Sequence, residues 1–340
     1  MATIKDIAKA ARVSTATVSA VVNGTAYVSP ELRLRVEKAV RELGYRPSRA
    51  AQTLRRGRSE LIALSVADLA NPFYARIVRS AEACVSARGY SLVVFNSDEN
   101  RESERRIIRR VQALGCDGLV IVPVGAPAEY VTNELTAVPP KVLLGRMIDG
   151  QDVDTVIVDN VSAGRQATDY LLDLGHRRIG CITGRLGIST GRGRLDGMIE
   201  AMRARGCVPL ERDIRPGEFR EEVAYSAALD MLRGQDRPTA LYVANGVMAL
   251  GVMRALADLG LRCPQDISIA STDTIAGNGG VSPRLTRTEH PVNEMTVEAI
   301  RLLIDRISGS DVSKPRTMVF APSLVVGDSC SPLLAVRSGT

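Results

Sequence analysis

From Leu61 onward, short apolar runs alternate with longer stretches that repeat apolar residues at helical spacing. The runs that predict strands are 61–67, 90–95, 118–122, 141–144, 155–158, 178–183, 239–243, 267–271 and 317–320. The stretches that predict helices are 74–88, 101–114, 161–174, 191–205, 221–233, 246–259 and 292–308. Apolar strands joined by helices are typical of parallel sheets. Because so many strands exceed one compact sheet, we expect an α/β core of two doubly wound parallel-sheet subdomains, with a cleft at the carboxyl ends of the strands.

The first 45 residues instead predict three short amphipathic helices separated by tight turns. Thr3 can cap the first helix, and its apolar stripe is Ile4, Ile7, Ala8 and Ala11. Ser29-Pro30 can open the third helix, which Gly44 ends. Three such helices around one small core match the helix-turn-helix plan, in which the second helix reads the DNA groove.

The second of these helices has a small, uncharged outward face. Ser14 can cap it, and Asn23-Gly24 can close it with a left-handed turn. Its apolar stripe is Val18, Val21 and Val22, and the opposite face carries Thr15, Ala16, Ser19, Ala20 and Asn23. A solvated surface helix usually carries Lys and Glu on such a face. The pattern therefore predicts insertion into the DNA major groove, which admits an α-helix.

Basic charge is concentrated in the same part of the chain. Residues 1–60 hold twelve Lys or Arg against five Asp or Glu, a net charge of +7. Of the totals of 44 basic and 38 acidic residues, this leaves 32 against 33 for the other 280 residues. A basic segment on a nearly neutral body is the electrostatic pattern of a nucleic-acid-binding module. The alternative is a basic face that serves only solubility.

The segment 46–58 carries five arginines and one large apolar residue, Leu54. Pro47 can start a helix and Gly57 can end one, but so short a helix is unstable alone in water. One interpretation is a helix that forms against the minor groove, with Leu54 wedged between base steps. The other is a basic linker with Leu54 docked on the body.

Several classes of protein are excluded by missing patterns. The six cysteines show no CxxC and no histidines at ligand spacing, so we expect free thiols in a reducing cytoplasm and no metal site. No signal peptide is evident, and no apolar run approaches the roughly 18 residues that a membrane span needs. With two histidines and no G-x-S-x-G, P-loop or HExxH motif, we expect neither an enzyme nor a cofactor.

Longer motifs run through most of the chain. They are T-I-K-D-I-A-K-A-A-R-V-S-T-A-T-V-S-A-V-V-N-G, R-E-L-G-Y-R-P-S-R-A-A-Q-T-L, N-P-F-Y, D-G-L-V-I-V at 117–122, V-D-N at 158–160, G-H-R-R-I-G at 175–180, G-R-L-D-G at 193–197 and G-L-R-C-P-Q-D-I-S at 260–268. In these motifs the sequence resembles the LacI family of bacterial transcription regulators, with a headpiece similar to the purine repressors. The resemblance implies a homodimer whose core is like a periplasmic sugar-binding protein. It divides the chain into a helix-turn-helix domain at 1–45, a hinge helix at 46–58, a ligand-binding and dimerisation core at 59–327 and a tail at 328–340.

The resemblance also implies which residues contact DNA. Thr15, Ala16 and Ala20 occupy base-reading positions, and Leu54 is the hinge residue that intercalates. Further DNA contacts are expected at Thr3, Ser14, Thr17, Ser19, Asn23, Tyr45 and Arg55. Ala20 departs from the family pattern, which often has Arg or His there. Alanine offers only a methyl contact there, such as to thymine.

For the cleft, the resemblance implies a pocket for a small polar ligand. Arg194 and Asp273 match the Arg and Asp at the centre of the ligand pocket in the family, which together can form hydrogen bonds with adjacent hydroxyl groups of a ligand. The other lining positions are Phe73, Tyr74, Thr190, Phe219 and Asn245. The alternative for each of these is an ordinary loop residue or a surface ion pair.

Arg146 stands where relatives commonly have an acidic residue that binds a sugar hydroxyl. A permanent cation there favours a carboxylate or phosphate, so one hypothesis is an anionic ligand such as a sugar acid or sugar phosphate. The alternative is that Arg146 turns outward and pairs with Asp149 or Asp152.

Together these features predict a cytoplasmic repressor whose affinity for a pseudo-palindromic double-stranded operator is controlled by a sugar, sugar acid or sugar phosphate. The ligand would act by shifting an equilibrium between closure states of the core. Dimer contacts are expected near 70–90 and 245–285, and the tail lacks the Leu heptad of a tetramerising coil. The rival hypothesis is a periplasmic-type small-molecule binding protein without a DNA role.

Overall fold

The structure, a computed structural model, describes residues 2–45, 58–125, 139–148, 150, 152–273 and 282–333. The chain divides into two compact units, Met1–Glu60 and Leu61–Thr340. We refer to them as the headpiece and the core. Leu54 and Arg55, and nearly all of the expected hinge helix, lie outside the described residues.

The headpiece contains three helices, α1 (Ile4–Ala11), α2 (Thr15–Asn23) and α3 (Pro30–Glu42). Thr3 caps α1 reciprocally with Asp6: the Asp6 amide donates to the Thr3 hydroxyl, and the Thr3 amide donates to the Asp6 carboxylate. Ser14 caps α2 by accepting from the Thr17 amide at 3.0 Å. The predicted stripes meet in one small core, formed by Ile7, Ala8, Ala11, Val18, Val36 and Ala39.

The core is built on two six-stranded sheets. The first sheet contains β1 (Leu61–Val66), β2 (Ser91–Asn96), β3 (Gly118–Ile121), β4 (Lys141–Leu144), β5 (Thr155–Val158) and β11 (Thr317–Phe320). Its order is β11-β5-β4-β3-β1-β2 and all neighbours are parallel. The helices α4 (Pro72–Ser86), α5 (Arg101–Ala113) and α10 (Val292–Ser308) pack on it. These elements form the first lobe.

The second lobe has the same plan. Its strands are β6 (Ile179–Thr183), β7 (Ile214–Pro216), β8 (Ala240–Val243), β9 (Ser268–Thr272), β10 (Thr286–Glu289) and β12 (Ser323–Val325), in the order β12-β10-β9-β8-β6-β7. Only β12, at the edge, runs antiparallel to its neighbour among these strands. The helices are α6 (Asn160–Asp173), α7 (Ser189–Ala204), α8 (Glu221–Leu232) and α9 (Gly246–Asp258).

The chain crosses between the lobes three times, after β5, after β10 and between β11 and β12. The central strands are buried on both faces, as in β1, where Ile62, Leu64 and Val66 face one apolar cluster and Ala63 faces another. Burial on both faces explains why these strands have continuous apolar sequences.

All nine predicted strands and all seven predicted core helices are present, with bounds that differ from the predicted ones by at most two residues. The sequence patterns missed β7, β10 and β12. Two of these strands have three residues, and β10 reads T-R-T-E, so none of them contains an apolar run. The expectation of two parallel sheets is confirmed.

Candidate functional site

One cavity lies where the carboxyl ends of the strands of both lobes meet, and all eight residues predicted for ligand binding line it. They are Phe73, Tyr74, Arg146, Thr190, Arg194, Phe219, Asn245 and Asp273. The two lobes contribute to its wall through the loops and helix starts that follow β1, β2, β4, β6, β7, β8, β9 and β10. Such a crevice is the usual ligand site of parallel α/β sheets.

Arg194 is held in the wall of this cavity by two hydrogen bonds. Its Nε donates to the Asn160 side-chain oxygen at 2.9 Å, and one Nη donates to the Ala244 carbonyl at 2.6 Å. The side chain is buried, and burial lowers the pKa of its guanidinium. Because a guanidinium carries five N–H groups and these bonds use two of them, donors remain for a molecule in the cavity.

The position of Arg194 depends on close packing between α6 and α7. A Cβ atom at Gly164 of α6 would overlap the backbone oxygen of Arg194, and one at Gly197 of α7 would overlap the backbone oxygen of Val161. Both glycines therefore allow the two helix backbones to approach each other, and Asn160, at the start of α6, comes within hydrogen-bonding reach of Arg194.

Asp273 follows β9 in a left-handed conformation, with φ of 72°. Its amide donates to the Thr288 carbonyl at 2.7 Å, which fixes the backbone at this unfavourable angle. Asn245 follows β8 and caps α9 by accepting from the Met248 amide at 2.9 Å. Asp273 and Asn245 thus reach the cavity from neighbouring strands of the second lobe.

His290 also lines the cavity, although the sequence patterns assigned it no role. It is 2% exposed, and neither ring nitrogen has a hydrogen-bond partner among the described residues. Burial, followed by the charges of Arg194 and Arg76, holds the pKa of His290 well below its usual value. The ring is therefore neutral near pH 7 and offers one donor and one acceptor. It follows β10, a strand that the patterns missed, so its position could not be predicted.

Aromatic side chains form part of the wall. The Phe219 ring lies 5.9 Å from the guanidinium carbons of both Arg146 and Arg194. Phe73 and Tyr74 meet edge to face, with ring centroids 5.2 Å apart. Burial raises the pKa of Tyr74 to about 12, so its hydroxyl is neutral and accepts from Arg146 at 3.4 Å.

Arg146 turns inward, so the alternative that it turns outward and pairs with Asp152 is wrong. Asp149, the other partner considered, lies outside the described residues. It is 5% exposed and forms a bidentate pair with Glu99, at 2.9 and 2.5 Å. It also donates to the Pro123 carbonyl at 3.0 Å. The physical reason is Glu99, a buried carboxylate after β2 that the sequence patterns did not identify. Glu99 thus neutralises the cation on which the hypothesis of an anionic ligand depends.

The other lining residues that the patterns missed include Asp68 and Asn71, which follow β1. Asn71 caps α4 by accepting from the Phe73 amide at 3.0 Å. Asp68 directly follows a predicted strand and Asn71 begins the N-P-F-Y motif, but neither signal assigned a side chain to the cavity. The part of the chain that the structure describes contains no cluster of His, Cys, Asp or Glu that could hold a metal ion, and no helix in it meets the length and apolarity that crossing a membrane requires.

In the headpiece, the predicted DNA-contacting residues divide into three groups. Thr3, Ser14 and Thr17 take part in helix caps. Thr15 and Ala16 are exposed, whereas Ser19, Ala20 and Asn23 are partly buried on the same helix. Tyr45 packs against the headpiece core. The first turn of α2 contains no acidic residue, which suits the approach of a phosphate to its N-terminus.

Both ends of the chain match models of known protein families, and whole proteins of similar sequence are transcriptional repressors. Residues 3–48 match a family model described as bacterial regulatory proteins, lacI family, and residues 168–330 match a periplasmic binding protein-like domain. The HTH-type transcriptional repressor PurR of Edwardsiella ictaluri is 35% identical over 331 residues, or 96% of each chain. PurR of Proteus mirabilis is 35% identical over 313 residues, which cover 90% of this chain and 91% of the relative.

Solved structures of transcription regulators share this fold over nearly the whole chain. The lac repressor dimer bound to operator and the anti-inducer ONPF is 28% identical, with a TM-score of 0.85 over 97% of this chain and 99% of that one. A complex of the transcriptional regulator CelR with cellobiose is 31% identical, with a TM-score of 0.73 over 97% of this chain and 100% of that one.

Proposed function

Since the chain belongs to the LacI family of bacterial transcription regulators, we propose that a small polar effector in the cavity between the lobes controls its affinity for operator DNA. The protein is a ligand-responsive DNA-binding repressor of the LacI and PurR type and is not an enzyme. We propose the DNA-contacting residues, the ligand-binding residues and the class of effector in the paragraphs below.

Buried polar groups that lack a hydrogen bond in the cavity support this proposal, although His290 Nδ1 lies 3.8 Å from the Asp273 carboxylate. The Thr190 hydroxyl and both nitrogens of His290 are buried without a hydrogen-bond partner among the described residues. Leaving such groups unpaired costs roughly 1–3 kcal/mol each. A ligand with hydroxyl or amide groups would satisfy them, together with the remaining donors of Arg194. Asp273 would complete the site by accepting from the ligand.

Within this proposal, a neutral polyhydroxylated molecule suits the site better than an anion. Glu99 already balances Arg146, and Asp68 and Asp273 add two acidic groups to the lining. Carboxylates accept from sugar hydroxyls, and Phe219 offers an apolar face for a ring. One solved relative is a complex with cellobiose, which supports the same class of ligand. A purine is the second candidate, because Phe73 and Phe219 can pack on a planar ring and His290 can both donate and accept.

We further propose a homodimer in the cytoplasm, with the α2 helices of two headpieces placed in the major grooves of a pseudo-palindromic operator. A solved relative of this fold is a dimer on its operator. Thr15, Ala16 and Ala20 supply few hydrogen-bond donors to bases. We therefore expect half-site spacing and DNA deformability to contribute much of the specificity.

The test begins with purified protein and random duplex DNA, from which preferred sequences are selected. Affinity for the selected operator is then measured by fluorescence anisotropy with a panel of sugars, sugar acids, sugar phosphates and purines. We expect a neutral sugar to change the affinity, and expect Arg194→Ala and Asp273→Ala to remove the response while DNA binding persists. If no sequence is selected, the operator-binding role of this chain is refuted.

The same anisotropy assay also tests the hypothesis that the effector is an anion. A response to sugar phosphates or sugar acids alone would favour it over a neutral sugar. If Arg146→Ala leaves the response intact while Arg194→Ala abolishes it, Arg146 does not recognise an anion.

A further inference from the structure

Two arginines of the second lobe reach acidic residues of the first lobe across the mouth of the cleft. Arg185, after β6, donates to the Glu99 carbonyl at 3.0 Å and lies 3.5 Å from its carboxylate. Arg220, before α8, donates to the carbonyl and carboxylate of Asp98 at 3.2 and 3.1 Å, and lies 3.8 Å from the Asp68 carboxylate. We call these five residues the clasp.

The backbone on both sides of the clasp is in an unfavourable conformation. In the first lobe Asp98 and Glu99 have φ of 51° and 54°. In the second lobe Glu218 and Phe219 have φ of 53° and 61°. Left-handed conformations are unfavourable for non-glycine residues and persist where the surroundings impose them. In the first lobe this conformation accompanies the presentation of two carbonyl oxygens to the arginines of the other lobe.

Glu99 belongs to the clasp and to the cavity at once. Its carboxylate binds Arg146 in the cavity wall and also faces Arg185 of the other lobe. Its side chain is 8% exposed, whereas the side chains of Arg185 and Arg220 are 33% and 42% exposed. The pair inside the first lobe is therefore shielded from salt, and the pairs across the cleft are not.

We propose that the clasp stabilises the closed arrangement of the two lobes, and that Glu99 is the positioning residue that links the cavity to this closure. A ligand that moves Arg146 shifts the Glu99 carboxylate and so changes its contact with Arg185. The link to the ligand rests on the proposed function. The closure itself does not, and it is tested without DNA or effector.

The chain contains no tryptophan, which allows a single reporter to be introduced. Leu186 is 41% exposed and adjoins Arg185, in a loop whose Ile188 side chain lies against Gly125 of the first lobe. The full-length Leu186→Trp protein is measured by acrylamide quenching and by small-angle X-ray scattering, in NaCl from about 0.01 to 1 M, which shortens the Debye length from about 30 to 3 Å. We expect added salt to increase both the quenching and the radius of gyration.

Three variants in this background make the test specific. Arg185→Gln/Arg220→Gln should be open already at low salt and respond little to added salt, and Glu99→Gln should shift in the same direction. Arg205→Gln is the matched control, because Arg205 is 42% exposed and pairs with Asp169 and Asp173 inside the second lobe. Thermal melting verifies that each variant is folded.

The proposal is overturned if the double variant and Arg205→Gln give the same salt response in both measurements. It is also overturned if Glu99→Gln, folded by the melting criterion, matches the parent. A failure to select an operator sequence would refute the DNA-binding role and leave these results unaffected.

Discussion

At the scale of single residues, the buried charges of the core differ in how they are balanced. Arg146 has a carboxylate partner, Glu99, and both side chains are buried. Arg194 is held by an amide oxygen and a carbonyl oxygen. A buried cation held by neutral groups is well placed to recognise a ligand, whereas a buried ion pair contributes more to the integrity of the site. The two arginines should therefore respond differently to mutation.

For Arg146, we predict a large effect on stability. Arg146→Ala leaves the Glu99 carboxylate buried without its bidentate partner, which should lower the free energy of unfolding by roughly 3–5 kcal/mol. Urea denaturation measures the change. Adding Glu99→Gln should recover part of the loss, and Arg205→Ala, which removes an exposed ion pair, should change little. Equal effects of Arg146→Ala and Arg205→Ala would contradict the structural role assigned to Glu99.

For His290, we predict a dependence of stability on pH. Its pKa is held below the unfolded value of about 6.5, so below neutral pH the unfolded state binds more protons than the folded state. The free energy of unfolding should therefore fall as the pH is lowered from 7 toward 5. Burial also lowers the pKa of His176, which is the other histidine of the chain.

Denaturation at a series of pH values checks this prediction. Because the pKa of His290 is depressed further, His290→Gln should flatten the pH dependence more than His176→Gln does. The comparison uses the slope with pH, since both substitutions also change stability at neutral pH. A slope that His290→Gln does not alter would show that His290 is not held neutral by its surroundings.

At the scale of elements, the central strands could be predicted from the sequence. A strand that is buried on both faces has apolar side chains at nearly every position, as in L-I-A-L-S-V of β1. The eight cavity residues could be predicted because the sequence resembles a known family, which implied their positions. Arg146, Asn245 and Asp273 also lie within two residues of the end of a predicted apolar strand. Glu99 and His290 could not be predicted. Their roles come from contacts with residues 47 positions away and from burial among side chains of both lobes, which no local pattern records.

The packing of α6 on α7 gives a prediction at this scale. Gly164→Ala would place a methyl group against the backbone oxygen of Arg194, which cannot move independently of its helix. We expect a loss of roughly 1–3 kcal/mol in stability, as for other overpacked interfaces, and a weaker effector response because Arg194 is displaced. Urea denaturation and operator anisotropy measure the two effects.

Gly234 provides the control for this experiment. A Cβ atom there would meet only the Asp236 amide nitrogen at 3.9 Å, an ordinary contact distance. Gly234→Ala should therefore preserve both stability and response. If Gly164→Ala behaves in the same way, the close approach of α6 and α7 does not position Arg194.

At the scale of the whole molecule, the headpiece and the core are separate units, and each contains its own cluster of buried apolar side chains. We therefore predict that a fragment lacking residues 1–58 folds, keeps its ligand and loses operator binding. Calorimetric titration with the effector found in the panel and anisotropy with the operator measure the two properties. Loss of ligand binding by a folded fragment would place part of the effector site outside the core.

The three crossings between the lobes also govern the order in which the protein can be completed during synthesis. The edge strands β11 and β12 are the last strands of the two sheets in chain order. Both lie in one stretch of nine residues, at Thr317–Phe320 and Ser323–Val325. The ribosome therefore translates more than 300 codons before either sheet has its full set of strands, whereas the headpiece can fold as soon as it emerges. A message that ends before Thr317 would therefore yield a complete headpiece joined to a core in which each sheet lacks one edge strand.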